Sequence, residues 1–168
     1  ISFPESLRAL GPYAFDAGVG TVNFNSIEQL FALTKGEGNY FEKIHVNGAP
    51  LTEVTIPSGI TEIPDEMFCC NTTLTSVIIS EGVTKIGQWA FSDCESLESI
   101  TIPSTVTHIG KGAFACTKIN SITLPENIEE IESRTFELCE YLKNIIIPDN
   151  VKSIGERAFE DCSSLEEI

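Results

Sequence analysis

Apolar residues recur along this chain at a fixed step. Phe68, Phe91, Phe114, Phe136 and Phe159 stand 23, 23, 22 and 23 residues apart. Leading aliphatics keep that step at Leu51, Leu74, Leu97, Ile119, Leu142 and Leu165, and a proline column runs Pro57, Ser80, Pro103, Pro125, Pro148, with serine in its second place. A period of this length marks a solenoid, in which each unit buries its apolar face only against its neighbours. In the third unit the apolar positions are Leu97, Ile100, Ile102, Val106, Ile109, Ala113 and Phe114. The Ile-x-Ile alternation predicts a strand with one face inward. Pro103 then removes a ladder donor and ends it. Gly87, Gly110 and Gly155 close a second short segment, where a tight corner calls for freedom in φ. The Ala-Phe pair sets a small residue beside a large one, so each Phe can stack on the next. The expected fold is a mostly β solenoid: a parallel ladder of ~23-residue coils with short turns or single helical turns.

The period is not uniform along the chain. Residues 1–18 read as a partial repeat, with Phe3-Pro4 matching Ile56-Pro57, and Ala14-Phe15 matching Ala90-Phe91. Residues 19–50 form one irregular helix-plus-hairpin repeat. Ser26-Ile-Glu-Gln-Leu-Phe-Ala-Leu33 has helical spacing at Ile27, Leu30 and Phe31, with Asn25 or Ser26 to cap it and Gln29 placed for a capping box, so a helix is expected over about 26–34. Tyr40–Val46 alternates as a strand, and Asn47-Gly48 turns it toward Leu51–Ile56; with Ala49-Pro50 counted in, the connection reads as longer than a tight two-residue hairpin. Residues 51–168 hold the regular repeats. The last stops partway through its unit, so the chain reads as one repeat domain over 1–168 belonging to a longer array.

Composition narrows the function classes. Formal charge is −15, from 25 acidic and 10 basic residues, which disfavours nucleic acid and anionic membrane surfaces, both of which need clustered Lys and Arg. No D-x-D-x-D-G loop supports calcium, and there is no apolar run of ~18 residues to insert in a membrane. Six cysteines could suggest a disulfide framework. Cys94, Cys116, Cys139 and Cys162 instead read as one repeat column, with Asn71 in an earlier copy, and as buried, reduced small hydrophobes. Cys69 and Cys70 fall outside that column.

The unit L-x-x-I-x-I-P-x-x-V-x-x-I-G-x-x-A-F-x-x-C resembles the BspA-like, Treponema-type leucine-rich repeat, over residues 1–18 and 51–168. Ser26–Leu30 with Lys43–Gly48 looks like a variant repeat of the same family. Departures are Ser80 for Pro, Pro64 and Glu132 for Gly, and Met67 and Thr135 for Ala. The resemblance implies a leucine-rich-repeat solenoid in a bacterial secreted or cell-surface protein that serves adhesion or binds proteins or glycans.

No catalytic constellation is visible. His45 and His108 lack a paired nucleophile, and His108 shares a variable column with Glu62, Lys85, Glu130 and Ser153 that should face solvent. The adjacent pair Cys69-Cys70 has no second pair or histidine cluster at zinc spacing. Catalytic residues, cofactors and metals are therefore expected to be none. The binding candidates are the outward strand column Thr55, Ile78, Thr101, Thr123 and Ile146, then Trp89 as a contact anchor or a lid, and Tyr40 and His45 in the irregular segment. The leading expectation is a non-enzymatic interaction module for a protein or glycan. A spacer array within a larger surface protein is the alternative, and a polysaccharide-active enzyme on a β-helix the least favoured.

Overall fold

In the computed structural model the described residues are 1–10, 14, 20–33 and 41–166. The order is β1 (Val22–Phe24), α1 (Ile27–Leu33), β2 (Ile44–Val46), β3 (Ala49–Pro50), and then two strands in each regular coil. These are β4 (Glu53–Ile56) and β5 (Glu62–Ile63), β6 (Ser76–Ile79) and β7 (Lys85–Ile86), β8 (Ser99–Thr101) and β9 (His108–Ile109), β10 (Ser121–Thr123) and β11 (Glu130–Ile131), β12 (Asn144–Ile146) and β13 (Ser153–Ile154). First strands pair in parallel as β4-β6-β8 and β10-β12; second strands pair as β5-β7-β9 and β11-β13. Val54 faces Val77 and Val77 faces Ile100, so the sequence period and the ladder register coincide. One apolar core runs from Phe3 to Ala158.

The third side of each coil is also a ladder, built from turns. Glu66, Trp89, Gly112, Arg134 and Arg157 have φ of 60°, 54°, 62°, 61° and 59°, and Cys70, Asp93, Cys116, Leu138 and Asp161 repeat this with 61°, 57°, 58°, 59° and 58°. These residues lie two places before and two places after each Phe. Left-handed backbone at alternate turns points every second N–H along the solenoid axis: Trp89, Phe91 and Asp93 donate to Lys111, Ala113 and Ala115 at 2.9 Å each. The intervening N–H groups close turns within the coil, as Ala90 does to Gly87 and Ser92 to Trp89. In this coil each N–H from Gly87 to Cys94 thereby finds an acceptor despite the irregular backbone. Inside this wall, Phe68, Phe91, Phe114, Phe136 and Phe159 stack with centroids 5.2, 5.9, 5.6 and 5.4 Å apart.

The corner glycines serve a need other than φ freedom. None of Gly87, Gly110 and Gly155 has positive φ; a Cβ on Gly87 would meet Asp65 N at 2.5 Å, one on Gly110 would meet Gln88 N at 2.7 Å, and one on Gly155 would press on Ser133 N. Close approach to the preceding coil is what demands glycine there.

The irregular segment lies between the N-terminal partial repeat and the first regular coil. Ser26 Oγ accepts the Gln29 N–H at 3.1 Å, and Gln29 Oε1 accepts the Asn25 N–H at 2.7 Å, so Ser26 caps α1 and the returning bond falls one residue earlier than in a capping box. Phe31 of α1 meets the end of the Phe stack edge-on at 6.2 Å from Phe68. The hairpin differs from the sequence expectation. β2 spans only Ile44–Val46, and Val46 pairs with Ala49, so Asn47-Gly48 is a tight two-residue turn, with φ of 51° and 79° as a type I′ turn requires. Leu51–Ile56 belongs instead to the first regular coil. In the N-terminal partial repeat, Ser2 bridges Asn23 in parallel and Phe3 is buried; Gly11, Phe15 and Gly18 lie outside the described residues.

The cysteine column also needs correction. Asn71, Cys94, Thr117, Cys139 and Cys162 occupy it, and Cys116 does not. Cys94 Sγ donates to Phe68 O at 3.0 Å, Cys139 Sγ to Phe114 O at 3.1 Å and Cys162 Sγ to Phe136 O at 3.0 Å. Thr117 takes the same place, three residues after its Phe and buried, though its hydroxyl donates to Phe114 O of its own coil at 2.9 Å where the cysteines reach the coil before, while Cys116 sits in the left-handed column. The residue missing from the 22-residue unit is therefore lost after Thr117. At that corner the Leu97, Leu142 and Leu165 N–H groups close turns on Cys94, Cys139 and Cys162, and no such bond is found at Ile119 among the described residues.

Candidate functional site

This deletion places the one discontinuity of the regular array. β8 does not pair with β10, nor β9 with β11, while the turn wall continues across through Gly112, Phe114 and Cys116 N–H donating to Ser133, Thr135 and Glu137 O at 3.1, 3.0 and 2.8 Å. A coil one residue short cannot follow the whole perimeter, so the two strand sides part and the Phe side holds. Asn127 Nδ2 reaches back across the gap to Ser104 O at 2.9 Å.

The parted strands open a cleft of about 620 Å³ on the strand face. Ile100 and Ile102 point into it and are half-buried, whereas their counterparts Val54, Ile56, Val77 and Ile79 in the two coils before are buried. Ile122 and Leu124 form the opposite wall, and Thr101, Thr123, Ser121 and Asn144 rim it. Here the core is opened within the regular array, under a polar rim; it is open again at the last coil, where Ile154 is 53% exposed.

The expected strand column is placed as follows. Thr55, Ile78 and Thr101 align across β4-β6-β8, and Thr123 aligns with Ile146 across β10-β12. All five are exposed, Ile78 at 50% and Ile146 at 63%. Thr101, Thr123 and Ile146 meet at the cleft, whereas Thr55 and Ile78 lie on the continuous sheet before it. Trp89 is elsewhere, on the turn wall, half-buried over Gly112, where a Cβ would strike its ring, with Lys111 Nζ 5.8 Å from the ring centroid. Its ring packs on the Gly112 backbone of the next coil. His45 lies half-buried in β2 opposite Asn23 and Pro50. Tyr40 lies outside the described residues. His108 Nε2 sits 3.4 Å from Glu132 across the discontinuity. The missing ladder there also gives room for Glu132, a side chain in the glycine position.

The four thiols from Cys94 to Cys162 are chemically quiet. Burial pushes Cys162 and Cys116 up to about 12, and pushes Cys94 and Cys139 up as well. Asn71 is fully buried, with Oδ1 accepting from Thr73 N and Leu74 N at 3.1 and 3.0 Å and Nδ2 unpartnered. Its sequon is closed to a glycan in the folded chain. Sequence reasoning passed over one further group: Cys69 Sγ and Cys70 Sγ lie 3.4 Å apart and, with an Asp93 carboxylate oxygen, fall within 4.8 Å of one another. Only the fold, which sets Asp93 on Cys70 in the next coil, brings these three together. The signal available was the shared place of Cys70 and Asp93, two residues after successive Phe residues.

The sequence profile described as BspA type Leucine rich repeat region matches residues 39–166 in six copies. Among solved structures, the chain is similar to a leucine rich cell surface protein from Faecalibacterium prausnitzii at 25% identity and TM-score 0.74, covering 98% of this chain and 52% of that one. It is also similar to the leucine rich repeat protein of T. pallidum at 24% identity and TM-score 0.69, covering 99% of this chain and 77% of that one. A leucine-rich repeat protein from Bacteroides ovatus matches at 24% identity and TM-score 0.58, over 95% of this chain and 48% of that one. This chain spans about half the length of the F. prausnitzii protein, with 52% of it covered. No curated protein matches the chain in sequence.

Proposed function

Because the chain belongs to the BspA-type leucine-rich repeat family, we propose that it is a non-enzymatic interaction module of a bacterial surface or secreted protein. It binds a protein ligand through the strand face, and the ligand seats an aliphatic side chain in the cleft between β8 and β10. The observation that carries this is the pair Ile100 and Ile102, core residues by sequence that stand half-open under a rim of Thr101, Thr123, Ser121 and Asn144. An apolar centre ringed by hydroxyls and amides has the anatomy of a protein–protein contact. The strand column holds no aromatic ring, and the rim of the cleft presents hydroxyls and an amide to which a peptide backbone can hydrogen-bond. A protein partner is therefore favoured over a glycan. The cell surface protein of F. prausnitzii, to which this chain is similar, supports the placement outside the cell.

The test is selection of a random-peptide display library on the immobilised chain, with a glycan array beside it. Peptides with an aliphatic anchor should be enriched, and Thr123→Arg, at the exposed rim, should weaken them at least about tenfold. Glu53→Arg, far from the cleft, should leave them unchanged. The reading falls if no peptide is enriched, if Thr123→Arg binds as the parent chain does, or if only the glycan array responds.

A further inference from the structure

We propose that Cys69, Cys70 and Asp93 form a binding site for a thiophilic divalent cation of the zinc and cadmium class. This site lies on the turn wall and is independent of the strand face. Successive side chains on an extended backbone point to opposite faces; here the left-handed backbone of Cys70, φ 61°, turns the two sulfurs to the same side, 3.4 Å apart. Two thiolates each 2.3 Å from a tetrahedral zinc stand about 3.8 Å apart, so a shift of a few tenths of an ångström suffices.

The third ligand comes from the next coil. Cys70 N donates to Ser92 O at 2.8 Å, which fixes Asp93 directly over Cys70, and its carboxylate oxygen is within 4.8 Å of both sulfurs. Ser92 Oγ donates to Asp93 Oδ2 at 2.8 Å and orients that carboxylate, as an outer-shell partner does. Cys116 stands next in the same left-handed column, one coil beyond Asp93. Burial holds the Cys70 thiol above its ordinary value, and the carboxylates of Asp93, Glu42 and Glu66 push it the same way, a negative field that favours a bound cation.

Two sulfurs and one carboxylate choose a soft or borderline metal. Calcium and magnesium take all-oxygen sets. With three protein ligands, the fourth tetrahedral position is left to water. Binding breaks two S–H bonds and forms two metal–sulfur bonds, releases two protons to solvent, and oxidises nothing.

The experiment is titration of the fully reduced chain with Cd²⁺, read by the cadmium–thiolate charge-transfer band and by calorimetry in buffers of different ionisation enthalpy. One equivalent should bind with release of about two protons. Cys70→Ser should abolish the band. Asp93→Asn, which keeps the shape of a residue that tolerates left-handed backbone, should weaken binding about ten- to a hundredfold with an unchanged urea midpoint. Cys162→Ser should bind as the parent chain does. The proposal is overturned if no band saturates at one equivalent, if Asp93→Asn binds with parental affinity, or if Cys162→Ser loses as much as Cys70→Ser.

Discussion

Each residue of a coil is held by the residue one period away more than by its sequence neighbours. Phe114 is fully buried between Phe91 and Phe136 at 5.9 and 5.6 Å. Phe114→Ala should therefore cost about 3–5 kcal/mol in urea unfolding; a loss under about 1 kcal/mol would mean that its neighbours close the gap. The buried thiols carry a pH consequence. Their folded values are raised above the ordinary 9.0, with Cys116 and Cys162 at about 12. The unfolded chain thus gives up these protons first, and the contribution to stability is whole below pH 9 and falls as pH rises toward 12. Alkylation of the native protein should accelerate across that interval, while the urea-unfolded control levels off soon above pH 9.

At the scale of the element, one missing residue matters more than any substitution. Inserting a serine after Thr117 restores the 23-residue step. β8 and β10 should then pair, with the Ser121–Thr123 amides gaining at least about tenfold protection from hydrogen exchange, and peptide binding at the cleft should be lost. Unchanged protection would place the cause of the gap elsewhere. The regular coils were legible in the sequence because in a solenoid each apolar column is itself a row of the core. The gap was legible only to within a few residues. Ile119 follows Phe114 by five residues where Leu97 follows Phe91 by six, which confines the loss to that stretch, but Cys116, two places after Phe114, suggested the wrong side of the column. The corner bond closed at Leu97 and absent at Ile119 resolves it. The left-handed columns were also hidden, because Trp89, Arg134 and Arg157 have no shared side-chain chemistry; what they share is the sign of φ. For the candidate site, the five strand residues were visible as outward positions, but which of them surround an opening depended on the gap.

Across the whole molecule, stability in a repeat array is close to a sum of coil terms and nearest-neighbour terms. Between the coil that carries β8 and the one that carries β10, the strand ladders are missing from the neighbour term. Native-state hydrogen exchange should resolve two cooperative units, residues 51–117 and 119–166, where an uninterrupted array would show one; a single protection level throughout would contradict this. The continuous wall of turns has a mechanical side. A force that draws the regular coils apart meets parallel backbone ladders on three sides of every other junction between them, but at this one it meets the turn ladder, the Phe stack and the Asn127 and His108 contacts. The regular array is then compliant at one hinge on its Phe side. Under load its coils would tilt open there before any of them unravels, and a ligand seated in the cleft would resist that opening.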